Sequence, residues 1–413
     1  MSNSKTLILA LVAGMLLTGC SNTLLTKWQD QQCVRNCDDS DPRKREHFEQ
    51  PVIQTLQMFI GEMGCWLVIG LYKLYNKIQQ KRNDTEGYQP LAAAEPLEDP
   101  AEPSSPILKA LTPNSRERPA LSGVKILLLS LPAICDICGT TLMNVGLLFV
   151  AASIYQMTRG ALVLFVGLFS VIFLKRHLYI FHWLALFVVV AGVAVVGLAG
   201  ALFKAPQPHE LVVSHANNTD DAVLRSIIGV LLIAGAQIFT ATQFVLEEHI
   251  LEKYAMEPLH VVGWEGIFGF VVTSVGMVIL HYSIGVTEAG RRGYFDAAEG
   301  LREMGIKNVF VSSLLIMVSI GAFNFFGISV TRSVSATSRS TIDTCRTLFI
   351  WIVSLGLGWE RFIPLQLLGF GLLVYGTFLF NEIINPPMKA CLPNRPENEV
   401  REELLPEEPI EHM

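Results

Sequence analysis

Three charged side chains in an otherwise apolar stretch pose the chain's first chemical question. Residues 335–358 are apolar enough to enter a bilayer, and about 20 residues at about 1.5 Å each suffice to cross one. Arg339, Asp343 and Arg346 stand in the first half of that stretch, at spacings i, i+4 and i+7. On a helix they fall within a narrow arc of one face. A charge near mid-membrane costs roughly 2.5–3.5 kcal/mol on insertion scales, so the face must meet protein or a water-filled cavity rather than lipid. Either an Asp–Arg pair locks helices together there, or the face lines a polar path for a solute.

Other ionisable and amide groups interrupt apolar stretches. Glu62 lies between Gly61 and Met63-Gly64, and Glu265 lies between Trp264 and Gly266. Small neighbours of this kind permit close helix packing. Asp136 and Asn144 fall in a third stretch, Gln156 and Arg159 in a fourth, and Asn324 in an eighth. Two arrangements are open. Asp136–Arg159 and Asp343–Arg346 can neutralise one another while the glutamates stay protonated. Alternatively, Arg159 and Arg346 contact an anionic group, Asp136 and Asp343 tune them, and Glu62 or Glu265 exchanges a proton during transport. Gln156 and Asn324 are candidate cavity groups, or interhelical hydrogen-bonding glue.

Composition supplies the setting. Of 413 residues 51% are hydrophobic and 16% charged, against about 25% charged in soluble domains. The chain reads as an all-α polytopic membrane protein. Its net charge of −6 comes without a basic, aromatic-rich run, which argues against a nucleic-acid partner. Ten apolar segments can be marked, at residues 6–26, 52–75, 124–148, 151–175, 179–203, 224–246, 259–284, 307–331, 335–358 and 362–383. Leu17-Thr18-Gly19-Cys20 resembles a lipoprotein or signal-peptide cleavage site. The apolar run continues through Leu24 and Leu25, however, and reads instead as a first span.

The halves echo each other. Residues 151–197 overlay 335–381 at a shift of 184, which matches Ser153 with Thr337, Ser170 with Ser354, Arg176 with Glu360 and Gly192 with Gly376. Glu62 likewise has a counterpart in Glu265. Five spans per half forces the second half to insert upside down. Inverted repeats around a mid-membrane site are typical of secondary transporters. The organisation expected is a first repeat over 1–203, a lumenal linker at 204–223, a second repeat over 224–385 and an acidic tail at 386–413.

Ten spans put both termini on one side, and Lys73, Lys77, Lys81, Arg82, Lys175 and Arg176 favour that side as cytosolic. Cys33 and Cys37 then fall on the lumenal side, where a disulfide persists, and Asn217-Asn218-Thr219 is a lumenal glycosylation sequon. A second sequon at Asn83 would lie in the cytosol and stay silent. The Pro- and Glu-rich loop 83–122 reads as disordered. It contains Tyr88-Gln89-Pro90-Leu91, a Tyr-x-x-bulky signal of the type clathrin adaptors read on endosomal and lysosomal cargo.

Enzyme motifs are missing from the sequence. There is no Gly-x-Gly-Asp, no HExxH and no Gly-rich phosphate loop ahead of a Lys-Ser or Lys-Thr, and the histidines do not fall at metal-ligand spacing. No cofactor is implied. A non-transporting membrane scaffold that binds a partner through its loop and tail is the alternative function.

Seven stretches in order carry a family resemblance: residues 18–24, 57–63, 135–143, 155–161, 245–248, 265–270 and 324–331. They are similar to solute carrier family 35, within the drug/metabolite transporter superfamily that includes nucleotide-sugar transporters. The resemblance implies ten transmembrane helices in two inverted five-helix repeats of the EamA type. It also implies a central cavity reached by Arg159, Asp343 and Arg346, and fifth and tenth helices that pack outside as a possible homodimer contact. It implies a small-molecule substrate and a lysosomal address. The tail's Glu402-Glu403-Leu404-Leu405 has Val400 where the family's dileucine signal carries an acid.

Overall fold

A computed structural model describes residues 2–37, 45–48, 50–86, 119–147, 149, 158–203, 219–288, 290–291, 293–357 and 362–384. Tyr88, Leu91, Gln156 and Asn217, with most of loop 83–122 and the tail from 386, lie outside these residues.

Among the described residues the protein is almost wholly helical, and each of the ten apolar segments contains a helix. The first is α1 (Ser2–Asp30), followed by a small hairpin of β1 (Cys33–Arg35) and β2 (Glu46–His47), then α2 (Pro51–Glu86). A 3-10 turn over Gly123–Leu129 leads into α3 (Ser130–Leu147), after which come α4 (Leu162–Phe173) and α5 (Ile180–Phe203). The second half supplies α6 (Thr219–Lys253), α7 (Pro258–Leu280), the short α8 (Ala297–Met304), α9 (Lys307–Ser333), α10 (Ala336–Gly356) and α11 (Pro364–Phe380). Six helical stretches are long and apolar enough to cross a membrane. Leucine, valine, isoleucine and phenylalanine side chains are exposed in numbers along α2, α5, α7 and α9. Such faces suit a lipid solvent, not water.

Local signals fix the ends. Ser335 caps α10 by accepting from the Ser338 N–H at 3.0 Å, and Pro258 begins α7 where its missing N–H costs nothing. After α4 the chain turns through Lys175 at φ 55°, and the Arg176 N–H donates to the Ser170 carbonyl at 3.2 Å.

Helices of one half pack mainly on helices of the other. The main contacts are α5 with α11, α3 with α6, α1 with α9 and α2 with α7, then α2 with α9, α4 with α6, α1 with α10, α3 with α7 and α4 with α10. Where α5 meets α11 the backbones nearly touch. A Cβ on Gly192 would lie 2.7 Å from the Gly369 carbonyl oxygen, and one on Gly376 would lie 3.0 Å from that of Ala185. Close approach of this kind is how membrane helices gain van der Waals contact without a hydrophobic drive.

Candidate functional site

The cavity forms where five helices each bring one ionisable side chain to the same place. Glu62 of α2, Asp136 of α3, Glu247 of α6, Glu265 of α7 and Arg339 of α10 line it, with Phe59, Ala133, Gln243, Asn324 and Ile328. The room between them is about that of one water molecule. Four carboxyl groups thus face one guanidinium.

Small residues let the two central glutamates meet. A Cβ on Gly266 would come within 2.7 Å of both the Glu62 Cβ and the Met63 N. The glycine beside Glu265 therefore lets α2 and α7 close on each other. On the other side of Glu62, the Asn324 amide donates to its Oε1 at 2.5 Å. Glu265 is 6% exposed, and its Oε1 accepts no hydrogen bond. Phe59, 1% exposed, fills the apolar wall, and Gly269 makes room for its ring, which a Cβ there would strike at 2.2 Å.

Arg339 is the cavity's cation, and it is already engaged. Its Nη1 is hydrogen-bonded and ion-paired to the Glu247 Oε2, and its guanidinium lies 4.0 Å from the centre of the Phe244 ring. Its Nη1 also reaches the Thr331 hydroxyl at 3.5 Å, and the Gln243 amide supports the other Glu247 oxygen at 3.1 Å. Its Nε faces Gly327, where an added Cβ would sit 2.9 Å away. The sequence pairs Asp343 with Arg346, names no partner for Arg339 and ends the sixth segment just before Glu247. In the fold Arg339 and Glu247 both belong to the cavity.

Asp343 and Arg346 do not line it. They form an i, i+3 ion pair at 3.4 Å, with the Arg346 guanidinium 4.9 Å from the Phe323 ring centre and its side chain pressed on Gly19 of α1. Among the described residues this matches the helix-locking arrangement for that pair. Arg159 is half-buried at the turn before α4 and does not line the cavity either. Four of the candidate residues, Glu62, Asp136, Glu265 and Asn324, are brought together; Arg159, Asp343 and Arg346 are not.

Polar clusters lie on either side of the cavity along the helices. At one end Arg176 bridges Glu248, at 2.9 Å, and Glu252. The second Glu248 oxygen accepts from the Ala336 N–H at 2.9 Å, which ties α6 to the start of α10. Arg332 donates to the Met256 carbonyl at 3.0 Å alongside. At the other end Gln29 donates to Ser313 at 2.7 Å and exchanges hydrogen bonds with Gln57, which knits α1, α2 and α9 together. Beyond that layer sits a cap in which Arg35, next to the Cys33–Cys37 disulfide, pairs with Glu46, Glu299 and Glu303.

Curated relatives place the chain. It is 37% identical over 396 residues to Solute carrier family 35 member F6 of Homo sapiens, covering 95% of this chain and 94% of that protein. The chain belongs to solute carrier family 35. The Rattus norvegicus protein of the same name is 38% identical over 385 residues, 92% of this chain and 90% of the relative. An uncharacterized Schizosaccharomyces pombe protein is 36% identical over 375 residues, 91% of this chain and 97% of its own length. A family model described as nucleotide-sugar transporter matches residues 115–286. Family membership and the apolar helices agree on a multi-pass membrane protein of the solute-carrier type.

Proposed function

We propose that this protein is a secondary-active or exchange transporter that moves a small organic solute across an endolysosomal membrane by alternating access. The observation that carries the reading is the ionisable cavity, which is built from helices of both halves and flanked along them by two separate polar clusters. A site between two gates is what alternating access requires.

Ten crossings in two inverted repeats are part of the proposal, and the packing supports them. Exchanging α1 with α6, α2 with α7, α3 with α9, α4 with α10 and α5 with α11 maps the main helix contacts onto themselves. The same exchange holds at single residues. A shift of 184 carries Gly192 to Gly376 and Ala185 to Gly369, so the Gly192–Gly369 contact becomes the Gly376–Ala185 contact. The two central glutamates, Glu62 and Glu265, are counterparts in this scheme and are the proposed proton-coupling groups.

The end that carries the disulfide is assigned to the lumen, because a disulfide persists in an oxidising compartment. Both termini and Arg176 then face the cytosol. Sorting through Tyr88–Leu91 and glycosylation at Asn217 complete the endolysosomal assignment.

Counterflow tests the function. Purified full-length protein in liposomes preloaded with a lysosomal metabolite extract should accelerate uptake of one labelled component when the extract is inside. No component taken up faster than into protein-free vesicles would overturn the transport reading.

A further inference from the structure

We propose that the solute carries a protonated nitrogen, and that this cationic group sits among Glu62, Asp136 and Glu265 against the ring of Phe59. The inference rests on the transport reading and names the substrate class of the same cavity.

Charge is the first argument. Four carboxyl groups surround one small space, and the guanidinium that faces them is ion-paired to Glu247. Ions taken from water need close counter-charges, because their desolvation cost is several kcal/mol each. Glu247 has its counter-charge in Arg339. For Glu62, Asp136 and Glu265 it must arrive from outside, as protons or as a cationic ligand.

The second argument is an open hydrogen-bonding position. Glu265 is more than nine-tenths buried, lines the cavity, and leaves Oε1 without a donor. A buried carboxyl oxygen without a donor costs about 1–3 kcal/mol or more. An ammonium group supplies up to three donors and no acceptor, so it suits a set of acceptors. Asn324 already donates to Glu62 and so spares it for orientation.

Shape is the third argument. Phe59 presents an aromatic ring beside the carboxyl groups, and cations are attracted to ring faces within about 6 Å of the centroid. The room is about that of one water molecule, so in this conformation the site fits an ammonium head alone. A diphosphate would meet the opposite situation. It would face four carboxyl groups, with an arginine already held by Glu247 and by the Phe244 ring. Arg159 and Arg346, the arginines that would otherwise answer an anion, lie outside the lining.

The test uses full-length protein in nanodiscs and three probes: phenethylamine, phenylacetate and UDP-glucose. Thermal stabilisation should be given by phenethylamine and not by the two anions. E265Q and D136N, each checked for monodisperse elution, should weaken the phenethylamine response by about tenfold or more, as expected for the loss of a charged partner. Stabilisation by either anion in preference to the amine would overturn the proposal. So would a phenethylamine response unchanged in both variants, or none at all. Parallel counterflow of labelled phenethylamine in liposomes separates the two claims. Binding without flux overturns the transport reading and keeps the cation site. Flux of an anion without an amine response overturns the cation site and keeps transport.

Discussion

Arg339 and Glu247 form an ion pair that is nearly sealed from solvent, with side chains 2% and 1% exposed. One comes from the first turn of α10 and the other from the sixth-from-last position before Lys253 of α6. Removing one member of such a pair strands a desolvated charge, which typically costs about 3–5 kcal/mol. R339Q should therefore lower the thermal stability of the purified protein sharply, and E247Q should do likewise. The double variant should recover much of the loss, because neither charge is then stranded. Losses that simply add would mean the pair contributes nothing as a unit.

A gate prediction concerns the opposite face of the same helix end. Arg176 holds Glu248 and Glu252, and Glu248 in turn holds the first N–H of α10. R176A removes the clamp and leaves the cavity lining untouched. A cysteine placed at Gln243, which lines the cavity, should then react faster with a membrane-impermeant maleimide added from the side that carries Arg176. The gain should be roughly tenfold, equivalent to one charge-assisted hydrogen bond. An unchanged labelling rate would show that this layer does not close the path.

Periodicity and span hydropathy made the helices legible, because a lipid-facing helix must be apolar along its whole length. They also located Glu62, Asp136, Glu265 and Asn324, since any polar group inside an apolar run is conspicuous. Arg339, Asp343 and Arg346 share one arc in sequence terms, yet the fold divides them. Helical phase gives a direction around the axis and says nothing about which neighbour sits at each height. At the first turn that neighbour is Glu247; two turns on it is Phe323 and Gly19. Glu247 was readable only through its surroundings. It follows the apolar run to Leu246, where a charge usually marks a span end. The run of Ile250 and Leu251 beyond it, both buried, was the available sign that α6 continues.

Proton coupling is tested at Glu62 and Glu265. E62Q keeps an acceptor for the Asn324 amide, so folding should survive. Uptake driven by a pH gradient should fall by at least tenfold, and solute–solute exchange at a fixed pH should fall less, because Asp136 and Glu265 still face the cationic group. Loss of both activities to the same extent would make Glu62 a binding or structural group and leave Glu265 as the coupling candidate.

The cap beside the Cys33–Cys37 disulfide carries the last prediction, and here acidity strengthens the structure. Glu303 of α8 is buried beside Gln50, and burial pushes its carboxyl pKa above the ordinary value. The Gln50 hydrogen bond and Arg35 oppose that push, while Glu299 and Glu46 add to it. A carboxyl whose pKa is raised in the folded state binds its proton more tightly there than when unfolded. Its contribution to stability is complete below the unfolded pKa and is lost as pH rises through the folded one. The cap should accordingly be firmest at acidic pH and looser near neutrality. Hydrogen exchange in α8 and in the Cys33–Arg35 strand should be slower at pH 5 than at pH 7.5 after correction for intrinsic rates. E303Q should flatten that difference, because an amide at this position has no proton to lose. A pH dependence of the same size in E303Q would remove Glu303 as the group through which acidity fastens the cap.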